Sequence, residues 1–515
     1  MAASRDPRAP GAKQPTESLG RVASALGRRL RAFPAPLALV LVAAAILASG
    51  WALLLPPFQG PDESEHFAYV QHLAETGDAP SSTTFDGAGS HSSEQTTAMD
   101  ALGLRMLMGI PGARPLWNAA DQQRWDDYER SATQAQRSDG DGANPIAKNP
   151  PLYYAYEALA YKAAPGDSLY DHLLATRVAN IVLFLITVAC AWLAAAELTA
   201  RIWVRTLTAA VVAVQPQLTS MAGIVNADTL LVTVWSAFTA LALRTLVRGL
   251  NTRRVAGLSA LAAASALTHG RGLALLPPLA VVVALAWWRQ QPPIARRAAL
   301  RACGAGAVVL AVGLFLFRLF VAGGGSGGSL YGDQTNYIHQ GGFGIGQFAQ
   351  QVWQFYLPRL PFLPSRVGPD YGFRQMFVET FFGSFGWLEV RFPARVYTAL
   401  KAGMLLGLVA LFWAGWTRRE LLRERVHVLL GLLAICGSLL ALLHLVSYLA
   451  LLGSGDPLIV GRYALPLIVP FALAIAFIAT SLPRRLGPFL GAAVIALGIV
   501  LQLSGMLITV ERFYA

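Results

Sequence analysis

Cysteine is nearly absent. The three in 515 residues, Cys190, Cys303 and Cys436, all lie inside apolar runs. That argues against a disulfide framework or a Cys-based metal centre, and it leaves redox compartment unmarked. Charge is scarce as well: 14% of residues are Asp, Glu, Lys or Arg, against 55% hydrophobic, and mean hydropathy is +0.47. Such a balance excludes a soluble enzyme and implies a polytopic membrane protein. Acidic residues are the scarcer sign, 29 against 41 Lys and Arg, for a net charge of +12. A basic balance can mean nucleic acid. Here the arginines cluster in short segments between apolar runs, the positive-inside signature, so no nucleic-acid partner is expected. No Gly-rich phosphate loop, paired His–Glu metal motif or Ser–His–Asp order stands out. The Gly323–Gly328 run reads as a flexible loop start. No internal repeat is visible, which weakens a transporter built on inverted repeats.

What the chain does have is a succession of apolar runs. Residues 1–33 are polar and basic and read as a disordered cytoplasmic tail that holds the N-terminus inside. Pro34–Leu55 is long enough to span and longer than a usual signal-peptide core, so it reads as an uncleaved first span. Further spans are expected at about 173–198, 206–222, 229–246, 255–268, 272–288, 302–321, 396–416, 428–452, 463–482 and 486–510. The expected fold is an all-α polytopic membrane protein of about eleven transmembrane helices, occupying 34–515. Two large loops, 58–150 and 323–395, fall on the extracytoplasmic side, and the expected location is a bacterial plasma membrane. The first loop is hydrophilic, with a short helix expected at Leu102–Met108, and it closes on Lys148-Asn-Pro-Pro-Leu-Tyr-Tyr154. An aromatic-rich segment, Leu152–Ala164, follows. The second loop begins Gly-rich and turns aromatic through Phe381-Phe-Gly-Ser-Phe-Gly-Trp387, as expected of interfacial segments or a lid.

Polar groups near the ends of spans carry the candidate chemistry. Asp62, Glu63, Glu65 and His66 fall within five residues directly after the first span. Pro61 suits the first position of a helix. A helix starting there puts Asp62, His66 and Tyr69 on one face and places Asp62 and Glu63 at the positive end of the helix dipole. A carboxylate so placed is a candidate general base; the alternative is an ordinary acidic helix start. An arginine at a span centre costs roughly 2.5–3.5 kcal/mol on insertion scales, and less near the ends. Arg177, Arg271, Arg318 and Arg462 all map near outer ends, where guanidinium forks could clamp a phosphate or pyrophosphate. Each could instead pair with a local carboxylate or a lipid headgroup. Asn226 and Asp228 form a second polar node or a helix cap. Lys148 is either a phosphate contact or a solvated charge. His66 and His269 are more often structural hydrogen-bonders than catalysts.

Taken together, these residues resemble the GT-C class of membrane glycosyltransferases. The likeness rests on one long span, an outer loop opening with Asp-Glu-x-x-His, an amphipathic helix after it, and a Pro-Pro-Leu-Tyr-Tyr element before the second span. More closely, Pro61-Asp-Glu-x-x-His66, Asn149-Pro-Pro-Leu-Tyr-Tyr154, Asn226-Ala-Asp228, the Phe-Gly-Ser-Phe-Gly-Trp run and Gly461-Arg-Tyr-x-x-Pro466 resemble a bacterial family of predicted polytopic membrane proteins. The class resemblance implies sugar transfer from a polyprenyl-phosphate donor to an extracytoplasmic glycan, lipid or protein acceptor, among membrane lipids. It implies Asp62 as the base, with Glu63 as a second carboxylate. Arg462 and Arg271 would hold the donor phosphate, with Lys148 a further contact. His66, Tyr153, Arg177, Asn226, Asp228, Arg318 and Tyr463 complete the expected substrate-binding set. Where relatives would carry Lys at the hinge between the fifth and sixth spans, this chain has His269-Gly-Arg271. No cofactor is expected, since no complete metal site is legible. The competing expectations are a transporter or polymerase of lipid-linked sugars, and an enzyme-derived protein that binds such a lipid without turning it over.

Overall fold

The structure, a computed structural model, describes residues 34–80, 90–103, 107, 110, 113–114, 118–140, 144, 146–289, 295–322, 344–357, 359–363, 373–453 and 459–515. The tail at 1–33, most of the helix expected at Leu102–Met108 and the Gly323–Gly328 run lie outside them.

The fold is all-α and polytopic. Among the described residues, nine helices are long and apolar enough to cross a bilayer: Ala35–Leu54, Leu169–Leu198, Asp228–Arg248, Gly270–Arg289, Arg297–Phe320, Ala394–Thr417, Val426–Leu449, Gly461–Ser481 and Leu486–Tyr514. At 1.5 Å per residue, about 20 residues match a hydrocarbon core about 30 Å thick. Two expected spans fall short of that length. The third is broken into Ile202–Ala213 and Pro216–Ala222. Pro216 lacks an N–H and drives Gln215 into an extended conformation, with ψ 114°. The Gln215 side chain then caps the new helix by accepting from the Leu218 N–H at 2.5 Å. The fifth, Thr252–Thr268, has only 17 residues and packs along Ala295–Ala322.

Two spans do not begin as α-helices. Gly270–Leu275 and Gly461–Leu467 are 3-10 turns that run on into Leu276–Arg289 and Ile468–Ser481. The Phe-Gly-Ser-Phe-Gly-Trp run forms a small antiparallel hairpin, Ser384–Phe385 with Val390–Arg391. It is pinned to the bundle where the Ser384 N–H donates to Gln217 Oε1 at 2.7 Å.

The basic turns meet at one end of the bundle. Arg248 pairs with Glu197 at 2.7 Å, Arg425 donates to the Leu198 carbonyl at 3.1 Å, and Arg418 donates to the Thr480 carbonyl at 3.0 Å. The first loop lies at the other end, following the C-terminus of Ala35–Leu54. Its helices include Glu63–Thr76, Ser93–Ala101, Ala119–Ser131 and Leu152–Lys162. A buried carboxylate ties the first two of these to each other and to Gln134–Ser138. Glu94 accepts from Gln71 at 2.9 Å and from Arg137 at 3.1 Å, and Gln71 in turn accepts from Ser92 at 2.7 Å.

Candidate active site

The first helix of the loop starts two residues later than its proline suggests. It runs Glu63–Thr76, and Asp62 is the residue before it, at φ 59° and ψ 16°. Pro61 therefore stands outside the helix. Asp62 and Glu63 do not share a first turn; the first-turn acids are Glu63 and Glu65. The left-handed region is uncommon for a side chain other than glycine, although Asp and Asn are enriched there. Three contacts hold this turn. The His66 N–H donates to the Asp62 carbonyl at 3.0 Å, Asn226 Nδ2 donates to the Pro61 carbonyl at 3.1 Å, and the Gly60 N–H donates to Glu63 at 3.3 Å.

The turn points its two carboxylates in different directions. Glu63 is fully buried. It takes a fork from Arg177, Nε to Oε1 at 2.8 Å and Nη2 to Oε2 at 2.7 Å, and also the Val225 N–H at 3.1 Å. Arg177 spends its other N–H groups on the carbonyls of Ala52, Leu55 and Pro56. The pair thus locks the end of the first span to the second, and neither member has donors or acceptors left for a substrate. Asp62 has a side chain 40% exposed, and its Oδ2 accepts from Arg462 Nη2 at 2.7 Å.

Arg462 and Arg271 reach this place by the same local device. Each sits one residue after a glycine, at the start of a 3-10 turn that opens a span. Gly461 is pressed against Phe373–Phe382. A Cβ there would stand 1.9 Å from the Phe377 carbonyl oxygen, and the Gly461 N–H donates to Thr380 Oγ1 at 2.6 Å. At the other arginine, a Cβ on Gly272 would stand 1.8 Å from the Ser265 carbonyl oxygen. A helix N-terminus is the unfavourable end for a cation. Both arginines are offset by carboxylates, Arg462 by Asp62 and Arg271 by Asp228. Tyr463 lies between them, 4.0 Å from the Arg271 guanidinium and 5.5 Å from that of Arg462. Among the described residues, no acceptor meets Arg462 Nε or Nη1, or Arg271 Nη1, although all three are buried. A guanidinium has five donor N–H groups. Buried donors left unspent are costly, so they indicate a place for an anion.

Two histidines line the cluster. Nδ1 of His66 is 2.9 Å from the Tyr154 hydroxyl, which also accepts from Asn149 at 3.1 Å. Burial pushes His66 down to about 4, despite the nearby Asp62 and Asp228, so it is neutral at physiological pH. His269 Nδ1 accepts from the Arg271 N–H at 3.1 Å. Burial, then the Arg271 charge, holds it well below the ordinary histidine range. Lys148 is half-buried and close enough for its charge to act on His269. Asn226 Oδ1 accepts from the Asp228 N–H at 2.9 Å, so Asn226 joins the start of the Asp228 helix to Pro61.

A family model described as "Predicted membrane protein (DUF2142)" matches residues 45–471. The chain belongs to this family. No curated protein and no solved structure matches it. The DUF2142 match takes in the whole cluster: Asp62, His66, Lys148, Asn226, Asp228, Arg271, Arg462 and Tyr463 all lie inside it.

Within this DUF2142 chain the structure brings together eight of the expected residues, keeps a ninth, Tyr153, at their edge and sets three apart. Glu63 and Arg177 are consumed by each other. Tyr153 is buried and its hydroxyl is bonded to Asn180 at 3.0 Å; its ring meets His66 edge-on, and the hydroxyl that reaches His66 Nδ1 is that of its neighbour Tyr154. Arg318 is exposed near the end of Ala295–Ala322, and no contact of the cluster among the described residues involves it. Sequence reasoning missed Tyr154 as the partner of His66, while His269 is the structural hydrogen-bonder it was expected to be. The Pro-Pro-Leu-Tyr-Tyr motif marks both tyrosines equally, and only the rotation of Leu152–Lys162 selects between them.

Proposed function

We propose that the chain is a GT-C-type membrane glycosyltransferase that moves a sugar from a polyprenyl-phosphate donor to a glycan, lipid or protein acceptor. The observation that carries the reading is a half-open carboxylate, Asp62, set against the buried Arg462 and the partly buried Arg271, both with unspent N–H groups. Transfer of this kind needs a carboxylate at the attacking oxygen and positive charge on the departing phosphate. Asp62 takes the proton of the acceptor hydroxyl as that oxygen bonds to the anomeric carbon. The bond from that carbon to the phosphate oxygen breaks, and its electron pair stays on the phosphate. Arg462 and Arg271 stabilise the charge that develops there. The products are an inverted glycoside, the lipid phosphate and a protonated Asp62. Tyr463 orders the two guanidiniums, and Lys148 adds a positive charge at the margin.

The cluster lies at the end of the bundle opposite the basic turns. By the positive-inside rule this reading puts it on the extracytoplasmic face of a bacterial plasma membrane. Its gathering at one end favours a transferase over a transporter of lipid-linked sugars, which calls for polar groups at mid-membrane and on both sides. The test is sugar transfer in reconstituted membranes supplied with a panel of polyprenyl-phosphate sugars. Asp62→Asn is expected to lower transfer by about a hundredfold or more while the protein still inserts. Full activity in that variant would remove Asp62 as the base.

A further inference from the structure

We propose that the Asp62–Arg462 ion pair is a latch that the donor phosphate opens, so that Asp62 is released as a base only once the donor is seated. The inference rests on the transferase reading and concerns the order of events at that same site.

The two partners are held unequally. Arg462 is buried, and its turn is wedged against Phe373–Phe382 through Gly461. It spends Nη2 on Asp62, while Nε and Nη1 remain without an acceptor among the described residues. Asp62 has its backbone clamped through the Pro61 and Asp62 carbonyls. Its side chain is 40% exposed and makes its ion pair through a single contact. A guanidinium prefers two parallel bonds to one anion, and phosphate supplies the oxygens for them. A phosphate entering the pocket therefore meets a fixed arginine with donors to spare and a carboxylate free to turn away. While the pair is closed, Oδ2 of Asp62 is held by Arg462 Nη2 and is not turned to an acceptor hydroxyl. Once phosphate takes Arg462, Asp62 can turn to the acceptor hydroxyl. The donor then binds before the acceptor is activated, and water is not activated in the empty enzyme. Arg271 does not share this behaviour, because its carboxylate, Asp228, is buried.

One consequence separates this latch from ordinary charge repulsion. Asp62 competes with the lipid phosphate for Arg462, so removing its charge must tighten phosphate binding even as it abolishes catalysis. Binding of a polyprenyl monophosphate would be measured on the full chain in phosphatidylcholine nanodiscs for wild type, Asp62→Asn, Glu65→Gln and Arg462→Gln. Asn tolerates the left-handed backbone of position 62; Asp62→Ser provides a second uncharged side chain. Glu65 is a nearby carboxylate on the first turn, bonded to Ser64 at 2.7 Å, with no contact to Arg462 among those described. Asp62→Asn is expected to bind about tenfold more tightly than wild type, Glu65→Gln equally to wild type, and Arg462→Gln at least tenfold more weakly. Unchanged binding in Asp62→Asn and Asp62→Ser, or equal tightening in Glu65→Gln, overturns the latch and leaves the donor reading standing. Failure of every protein to bind polyprenyl monophosphate overturns the donor reading and the latch with it.

Discussion

Glu63 and Asp62 are neighbours with opposite fates, and their difference is a matter of what each oxygen touches. Glu63 is buried against Arg177 with all its acceptor capacity in use. Breaking such a pair from one side strands a buried charge, at a cost of about 3–5 kcal/mol. Glu63→Gln is therefore expected to lower the unfolding midpoint in detergent sharply. The Glu63→Gln, Arg177→Met double variant should cost less than the sum of the singles. Additive losses would show that the two side chains are not coupled. Asp62→Asn, by contrast, should lower the midpoint by less, because that carboxylate is half-open and gives up a single contact, although it leaves the buried Arg462 without its ion-pair partner. The Pro-Asp-Glu-x-x-His pattern made both acids legible as a group. It could not separate them, because the separation depends on Asp62 standing outside the helix at positive φ while Glu63 begins it. The same limit applies to Tyr153 and Tyr154.

At the scale of elements, the two 3-10 turns do the work of aiming cations. An arginine at the first turn of a span is placed against the helix dipole, and each turn is kept in position by a glycine that lets backbones touch. Gly461→Ala is expected to push Arg462 out of place, since the added carbon would collide with the Phe377 carbonyl; donor binding should fall by about tenfold or more. Gly403→Ala is the matching control. Its Cβ meets nothing within 4 Å on Ala394–Thr417, and alanine favours a helix interior. Binding should be unaltered there, and equal losses in both variants would deny Gly461 a special role. Most spans were legible because long apolar runs leave little choice of structure in a bilayer. The break at Pro216 was not, because the proline, even flanked by Gln215 and Gln217, does not say whether a helix kinks or stops.

The whole molecule sorts its charges by end. Basic turns near Leu198, Arg248, Arg418 and Arg425 lie together, and the Asp62 cluster lies with the first loop at the other end. The positive-inside rule turns this polarity into an orientation that labelling can check. A single cysteine at Asp78, exposed after the first loop helix, should react with a membrane-impermeant thiol reagent on intact cells. One at Glu420, exposed among the basic turns, should react only after permeabilisation. The reverse pattern would put the cluster on the cytoplasmic side and remove an extracytoplasmic acceptor from the proposed function.

Sequence alone determined the membrane class, most of the spans and the polarity of the ends, because hydropathy and arginine placement act locally and need no partner to be read. It also marked most of the residues that the cluster uses. Tertiary structure alone decided which of them belong together. Arg177 looked as free as Arg462 until Glu63 claimed it, and Arg318 looked as near until its helix turned it outward. Pairing between charges hundreds of residues apart is set by how helices pack, and no local pattern encodes that.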